Sequence, residues 1–330
     1  MTTYKAIQGY TVEKLSSDPS PDIAGKLFYN DTSNTFKIVA AGDAAWAVTN
    51  PLSSNRTDQA SAGTSASTSM IMGGISDPPA GAIIALVETF DGTSWTEQTD
   101  LNTDKGQSFG GGTTTAAISA GGTPGGITQT ELWNGVSWTV NPAVITSPST
   151  YARGAAGTQA SFLAFGGGGF VSNVEQWNGS TWTETTNLST VRGQLGGSGA
   201  DGTACLAMGG NTPRPPPPSA TISAVVEEWN GTSWTTKTSM GNAGATITTM
   251  GTVTATLKAG GYPLNYQTEL WNGTGWTENP NSNSAAQYRN TNGGGTQASG
   301  MMTGGTPAPV GSTSEEWALA PLAARTVTTS

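Results

Sequence analysis

Glu131-Leu132-Trp133-Asn134-Gly135-Val136-Ser137-Trp138-Thr139 is the stretch on which the architecture turns. It returns from Glu88 to Thr96, from Glu175 to Thr183, from Glu227 to Thr235 and from Glu269 to Thr277, and a truncated copy reads Glu315-Glu316-Trp317. The second Trp of each full copy stands at 95, 138, 182, 234 and 276, so the steps are 43, 44, 52 and 42 residues. Internal repeats of this length, each with turn signals between short alternating segments, are the periods of propeller blades. Within a copy, Asn-Gly between such segments marks a tight hairpin, since both residues tolerate φ > 0. The two aromatics flank a four-residue loop and are expected to face each other across the hairpin. Such a pair adds up to roughly 1 kcal/mol beyond burial.

A second landmark keeps the same beat. Apolar runs end in Gly-Gly at 73–74, 121–122, 166–167, 209–210, 260–261 and 304–305. A basic residue precedes most of them: Arg56, Lys105, Arg153, Arg192 and Arg289, whereas the fifth repeat has Gly241-Asn242-Ala243-Gly244 there. Each repeated Glu lies two residues before an aromatic, on the same face of its strand. A buried Glu needs a partner, so Glu and Arg or Lys are read as structural pairs running from blade to blade. Basic residue, apolar strand, Gly-Gly, aromatic and Trp together resemble the kelch motif over residues 46–330. The resemblance implies an all-β, six-bladed kelch-like β-propeller with four antiparallel strands per blade.

The tryptophans suggest how such a ring closes. Of eleven, ten fall in the repeats: Trp95, Trp133, Trp138, Trp177, Trp182, Trp229, Trp234, Trp271, Trp276 and Trp317. The last copy stops at Trp317 without its Asn-Gly turn or second Trp, and the one Trp left over is Trp46. The strand around Trp46 is therefore expected to complete the last blade beside Trp317, removing exposed sheet edges. The competing reading puts Thr35–Val48 in a hairpin outside the ring. The expected organisation is an N-terminal arm over 1–43 and a propeller over 44–330 with a short C-terminal tail, 318–330.

Composition narrows the chemistry. The 330 residues carry a net charge of −9 with 11% charged residues, against the basic surface nucleic acid requires. Histidine is absent, which removes His-dependent triads and His metal sites. Kelch-like propellers such as galactose oxidase hold copper with His, a set this chain cannot reproduce; no metal and no cofactor is expected. Cys205, the single cysteine, sits in the apolar run 204–208 and reads as a buried inert thiol. The start Met1-Thr2-Thr3-Tyr4-Lys5 lacks an export-signal pattern, and no apolar run approaches the ~20 residues of a membrane span. Asp91-Gly92-Thr93-Ser94-Trp95 resembles the Asp-box of sialidase propellers, but that box separates Asp from Gly by one residue and the other copies have Asn. The sequons Asn178-Gly179-Ser180 and Asn230-Gly231-Thr232 coincide with the turns.

Function is sought on the loops. In a four-stranded blade, the loops joining second to third strands share a face with the blade-to-blade connections. Here those loops are irregular: Asp77-Pro78-Pro79, the run Pro213-Arg214-Pro215 to Pro218, and Tyr262-Pro263-Leu264-Asn265-Tyr266. Tyr151, Phe170, Arg214, Tyr262, Tyr266 and Tyr288 are the candidate binding residues, Tyr offering stacking area with a polar tip. They would take a glycan or a protein surface; the other reading is packing between blades or neighbouring molecules. The proline run stiffens its loop, or presents a ligand for a Pro-binding module.

Residues 1–45 differ in kind, holding four of the seven Lys and the segment Asp18-Pro19-Ser20-Pro21-Asp22. From Gly25 to Ile38 an aromatic strand, Tyr29-Asn30-Asp31-Thr32-Ser33-Asn34-Thr35 and a second strand lead to Ala45-Trp46, a pattern that resembles segments of bacteriophage tail-fibre and other virion proteins. The repeat style, with Leu101-Asn102-Thr103, resembles propellers encoded by phages of cyanobacteria and other marine bacteria. The resemblance implies a non-enzymatic virion structural protein, assembled in the host cytoplasm: a tail fibre or adhesin, or a capsid or tail decoration. Its partners would be other virion proteins through the arm, further copies of itself, and a host-surface glycan or protein, with no membrane insertion. A cellular kelch-like carbohydrate-binding or scaffolding module, and a glycosidase, are the competing classes.

Overall fold

The structure, a computed structural model, describes residues 12–18, 27–41, 44–76, 81–146, 153–213, 220–264, 266–282, 293–305, 310–319 and 322–326. Almost all regular structure is β; the helical residues described are two 3₁₀ turns, Ala66–Thr68 and Val310–Ser312. The fold is all-β and propeller-like, built of repeated antiparallel sheets. The chain divides into two compact units, Ala45–Ala318 and a terminal unit made of Met1–Ala44 with Leu319–Ser330.

In the larger unit the described residues form six repeated sheets. Sheet 1 contains Arg56–Thr57, Ala60–Gly63, Ser69–Ser76, Ile83–Phe90 and Trp95–Glu97; sheet 2 contains Phe109–Thr113, Ala116–Ala120, Thr130–Trp133 and Trp138–Asn141. Sheet 3 contains Gly154–Gly157, Phe162–Phe165, Val174–Trp177 and Trp182–Thr185. Sheet 4 contains Gly196–Asp201, Ala204–Met208, Val226–Trp229 and Trp234–Lys237, with a side hairpin of Asn211–Pro213 and Ala220–Ile222. Sheet 5 contains Thr248–Thr252, Ala255–Ala259, Thr268–Trp271 and Trp276–Asn279. Sheet 6 contains Ser299–Thr303, Ser314–Ala318 and, from the other end of the chain, Ala45–Thr49.

The aromatic pairs stand where their spacing put them. Trp133 lies directly across from Trp138, with ring centroids 5.3 Å apart and planes inclined by 40°. Phe90–Trp95, Trp177–Trp182, Trp229–Trp234 and Trp271–Trp276 repeat the geometry at 5.1–5.4 Å. The sixth pair is Trp46–Trp317, in register across the two chain ends at 5.4 Å. Trp46 also donates from Nε1 to Thr268 Oγ1 of sheet 5 at 2.8 Å, as Trp182 of sheet 3 does to Thr130 of sheet 2 at 2.7 Å. The N-terminal strand thus takes the outer-strand place that the last repeat leaves empty.

The turns differ from expectation in one respect. Only the glycine has positive φ (Gly135, 95°); the preceding Asn does not. Asn134 instead accepts with Oδ1 from the amides of Val136 and Ser137 at 3.0 and 2.9 Å, an Asx cap of the loop. Asp91 does the same for Thr93 and Ser94, so either side chain serves.

Apolar cores lie between successive sheets. Met72 and Val87 of sheet 1 pack with Trp133 and Trp138 of sheet 2, and Leu163 and Phe165 of sheet 3 with Trp229 of sheet 4. Hydrogen bonds link successive sheets: Gln107 N to Asp58 O, Gln159 Nε2 to Ala117 O, Gly202 N to Ser161 O and Thr246 N to Gln194 O, at 2.7–2.9 Å. Gln297 Nε2 to Thr256 O at 3.1 Å joins sheet 6 to sheet 5, and Gln59 Nε2 to Thr303 O at 3.0 Å joins sheet 1 to sheet 6. The innermost strands are rich in Gly and Ala because their backbones nearly touch. A Cβ on Gly111 would sit 2.7 Å from the carbonyl oxygen of Gly157 in the next sheet.

The repeated Glu and its basic partner are both buried, but they pair within one sheet, not from sheet to sheet. Arg153–Glu175 (2.6 Å), Arg192–Glu227 (2.7 Å) and Lys105–Glu131 (3.1 Å) are intact, and Arg56 meets Glu88. The carboxylate's second oxygen reaches the incoming connection: Asn102 N donates to Glu131 at 2.7 Å and Ser189 N to Glu227 at 3.0 Å. Each Glu therefore fixes the crossover that enters its sheet. In the fifth repeat, Lys258 from the second strand supplies the missing cation, 3.7 Å from Glu269. Arg289, the basic residue of the sixth repeat, lies outside the described residues.

The terminal unit is a four-stranded sheet of Glu13–Leu15, Leu27–Asn30, Thr35–Ala41 and Leu322–Thr326, in that order. Residues 318–330, read as a tail, thus contribute a strand, with Ile38 opposite Arg325. The first strand runs parallel to the second. Asn30 Oδ1 accepts from Thr32 N and Ser33 N, capping the turn between the second and third strands, and its Nδ2 donates to Asp18 at 2.6 Å. Lys37 also holds Asp18, at 2.8 Å, and its hydrogen bond, then that of Asn30, keeps this carboxylate below the usual range.

Candidate functional site

The inner strands of sheets 1 to 5 and the segment Gly293–Gly295 line a cavity of about 210 Å³. The strands of sheets 1 to 4 enter it just after the recurring basic position and that of sheet 5 just after Gly244, and at four of these five places the backbone does something the sequence did not announce. Asp58, Gln107, Gln194 and Thr246 all adopt the left-handed conformation, with φ of 56°, 53°, 58° and 53°. They stand two residues after Arg56, Lys105, Arg192 and Gly244, at equivalent places in sheets 1, 2, 4 and 5. All four line the cavity. A non-glycine residue in this region costs on the order of 1 kcal/mol and persists only where its surroundings hold it. Here the amides of Gln107 and Thr246 donate to the carbonyls of Asp58 and Gln194.

The rim is polar and nearly uncharged. Asp58 is the only carboxylate residue lining the cavity among the described residues. Arg153 belongs to the wall, but Glu175 neutralises it, and burial pulls its guanidinium below the ordinary value while Glu175 opposes the shift. The carboxamide of Gln107 makes no hydrogen bond among the described residues, whereas that of Gln194 accepts from Asn211 Nδ2 at 2.5 Å. Gln59 and the hydroxyls of Ser61, Ser108, Ser198 and Thr249 add to the polar lining. A ring of amides and hydroxyls offers both donors and acceptors. Among the described residues it contains no pair of carboxylates to share acid and base work.

Of the residues singled out by sequence, Tyr151, Arg214 and Tyr288 lie outside the described residues. Phe170 occupies a turn after the second strand of sheet 3, half-buried with φ 59°. Tyr262 and Tyr266 belong to the corresponding loop of sheet 5 and are 44% and 39% exposed. Sheet 4 intervenes between Phe170 and the two tyrosines in the order of contacts. Tyr262 pairs with Ala245 through both backbone bonds, 3.0 and 2.9 Å, and so sits one residue from the rim at Thr246. The rim residues themselves escaped sequence reading. Aligning the repeats on the basic position, then stepping two residues on to Asp, Gln, Gln and Thr, is the signal that finds them.

Other chemistry is quiet. Cys205 is buried, with its Sγ 3.1 Å from the carbonyl of Asp201, and burial raises its thiol far above the usual range. No group of three or more Asp, Glu or Cys suited to a metal ion occurs among the described residues. No helix there is long and apolar enough to cross a membrane. No protein-family model matches the chain, and no curated protein matches it either.

Proposed function

We propose that this chain is a non-catalytic display module of a virion: a six-bladed kelch-like propeller, closed by its N-terminal strand, that presents its irregular loop face to a host-surface glycan or protein. The observation that carries the ring is the pairing of Ala45–Thr49 with Ser314–Ala318, which matches Trp46 to Trp317. The bond from Gln59 to Thr303, joining the first sheet to the last, supports the same closure. The sixth blade's inner strand would be the segment around Gly293–Gly295, whose Gly294 carbonyl accepts from Met301 N at 3.0 Å.

The display role draws support from where the chain leaves the ring. Ala45 and Ala318 are cross-strand partners, so both links to the terminal unit depart from the same end of two adjacent strands of one sheet. That unit would dock on other virion proteins, with several copies per particle. The virion setting rests on the resemblance of the 25–46 segment and of the repeat style to phage proteins. The binding role rests on the polar rim and on the exposed Tyr262 and Tyr266.

Mass spectrometry and immunogold labelling of purified particles test the setting. The chain is expected on the outside of the particle, and its absence from particles would overturn this. Retention of the full chain on intact host cells, blocked by an antibody against the Tyr262 loop, tests the face. Turnover of any glycoside would refute the non-catalytic reading. A chain lacking residues 1–50 tests closure: it should lose far more stability than an unattached arm could explain, and unchanged melting would sink closure through Trp46.

A further inference from the structure

We infer that the cavity mouth ringed by Asp58, Gln107, Gln194 and Thr246 is a binding site for one neutral sugar ring, the terminal residue of a polysaccharide. The inference deepens the display reading by naming the class of ligand for that face.

Four observations converge on it. First, the lining is chemically selective. The hydroxyls of Ser61, Thr246 and Thr249 already donate to the carbonyls of Gly293, Ala245 and Gly197, so toward a sugar hydroxyl they act as acceptors. The Gln107 carboxamide can both donate and accept, and the Asp58 carboxylate, which also accepts from Thr57, offers stronger, charge-assisted bonds. An anion is disfavoured by Asp58 and by a net charge of −9, and a single carboxylate is a poor cage for a cation. Second, size is selective. About 210 Å³ is below the roughly 300 Å³ at which sites for drug-sized ligands begin, and suits a single ring. A protein partner would instead need a broad surface of ~800 Å² with an apolar centre.

Third, the rim is strained in a repeated way. Four non-glycine residues hold left-handed φ values within a few degrees of one another at equivalent positions. Glycine would relieve each of them, and this chain places 46 glycines elsewhere freely. Side chains retained against backbone preference at a cavity mouth point to contacts made there. Gln107 is the plainest case, because its carboxamide has no partner among the described residues. Fourth, Tyr262 stands beside the rim through its bridge to Ala245 and is 44% exposed. Its backbone position beside the rim puts an exposed aromatic just outside the cavity lining, where it can offer the flat apolar surface on which the C–H face of a sugar stacks.

The test uses the full chain, saturation-transfer NMR and the methyl glycosides of glucose, galactose, mannose and N-acetylglucosamine. At least one should bind. Gln107→Gly should weaken that binding at least tenfold while the melting temperature stays equal or rises, because glycine relaxes the left-handed backbone. A purely structural role for Gln107 would move stability and leave binding alone, and that result overturns the inference. Binding by none of the four glycosides also overturns it. If the full chain still adheres to host cells in that event, the display reading survives without the sugar site; loss of both would sink the two together.

Discussion

Sheets 3 and 5 solve the same electrostatic problem from different directions. In sheet 3, Arg153 arrives just before the inner strand and meets Glu175 at 2.6 Å, with further bonds to the carbonyls of Ala164 at 2.9 Å and Asn173 at 3.3 Å. In sheet 5 that chain position is Gly244, shown by its carbonyl accepting from Gly210 N as that of Arg192 accepts from Gly167 N. The cation comes instead from Lys258, directly across the strand pair from Glu269. A Cβ on Gly244 would lie 3.8 Å from Lys258 Cε and 2.8 Å from Ile247 Cγ2, so the lysine stem fills the space an arginine would need. The lesson is that the buried carboxylate fixes the requirement for a cation, and any strand able to reach the site can meet it.

The largest expected effect separates the two solutions. Glu175→Gln strands a guanidinium that cannot lose its proton, and should cost about 3–5 kcal/mol in urea denaturation. Glu269→Gln should cost roughly 1–2 kcal/mol less, because burial already lowers the Lys258 ammonium from its ordinary value and lysine can neutralise itself. Equal costs would erase the distinction. Next, Lys258→Ala should destabilise by about 2–3 kcal/mol, leaving Glu269 with the amide of Asn242 but no cation. Adding Gly244→Arg to that variant should recover about 1 kcal/mol or more, whereas Gly244→Arg alone should destabilise; simple additivity would show that the two positions do not share one space. The smallest effect should not differ between the sheets. Asn178→Ala and Asn272→Ala each remove an equivalent turn cap and should each cost about 1 kcal/mol, read as matched drops in melting temperature.

Legibility followed the range of the interactions. Trp133 and Trp138 are five residues apart, and local strand geometry alone sets them face to face. Trp46 was reachable by elimination, because one aromatic and one vacant strand remained. Lys258 was visible as a charge inside the buried run Thr256-Leu257-Lys258-Ala259, yet only the cross-strand register ties it to Glu269. The in-sheet direction of the ion pairs depends on how the basic segment folds back over its own sheet, which spacing does not encode. The left-handed rim was hidden for a related reason. Gln107 and Gln194 carry no intrinsic preference for positive φ, and contacts with the neighbouring sheets impose it. Strand Leu322–Thr326 reads weakly as β, and its partner Thr35–Ala41 lies almost the whole chain away.

The pairing of Trp46 with Trp317 also sets a schedule for synthesis. A ribosome makes the strand Ala45–Thr49 ~270 residues before its partner Ser314–Ala318, a delay on the order of tens of seconds. During that interval sheets 1 to 5 can form in order from their own contiguous segments, while Trp46 waits with no indole across from it. The nascent chain therefore carries an open aromatic strand until Ser314–Ala318 has been made. Anything that stalls elongation between the two strands would prolong that exposure, and would make chaperone capture or mispairing with another copy a matter of timing rather than of final stability.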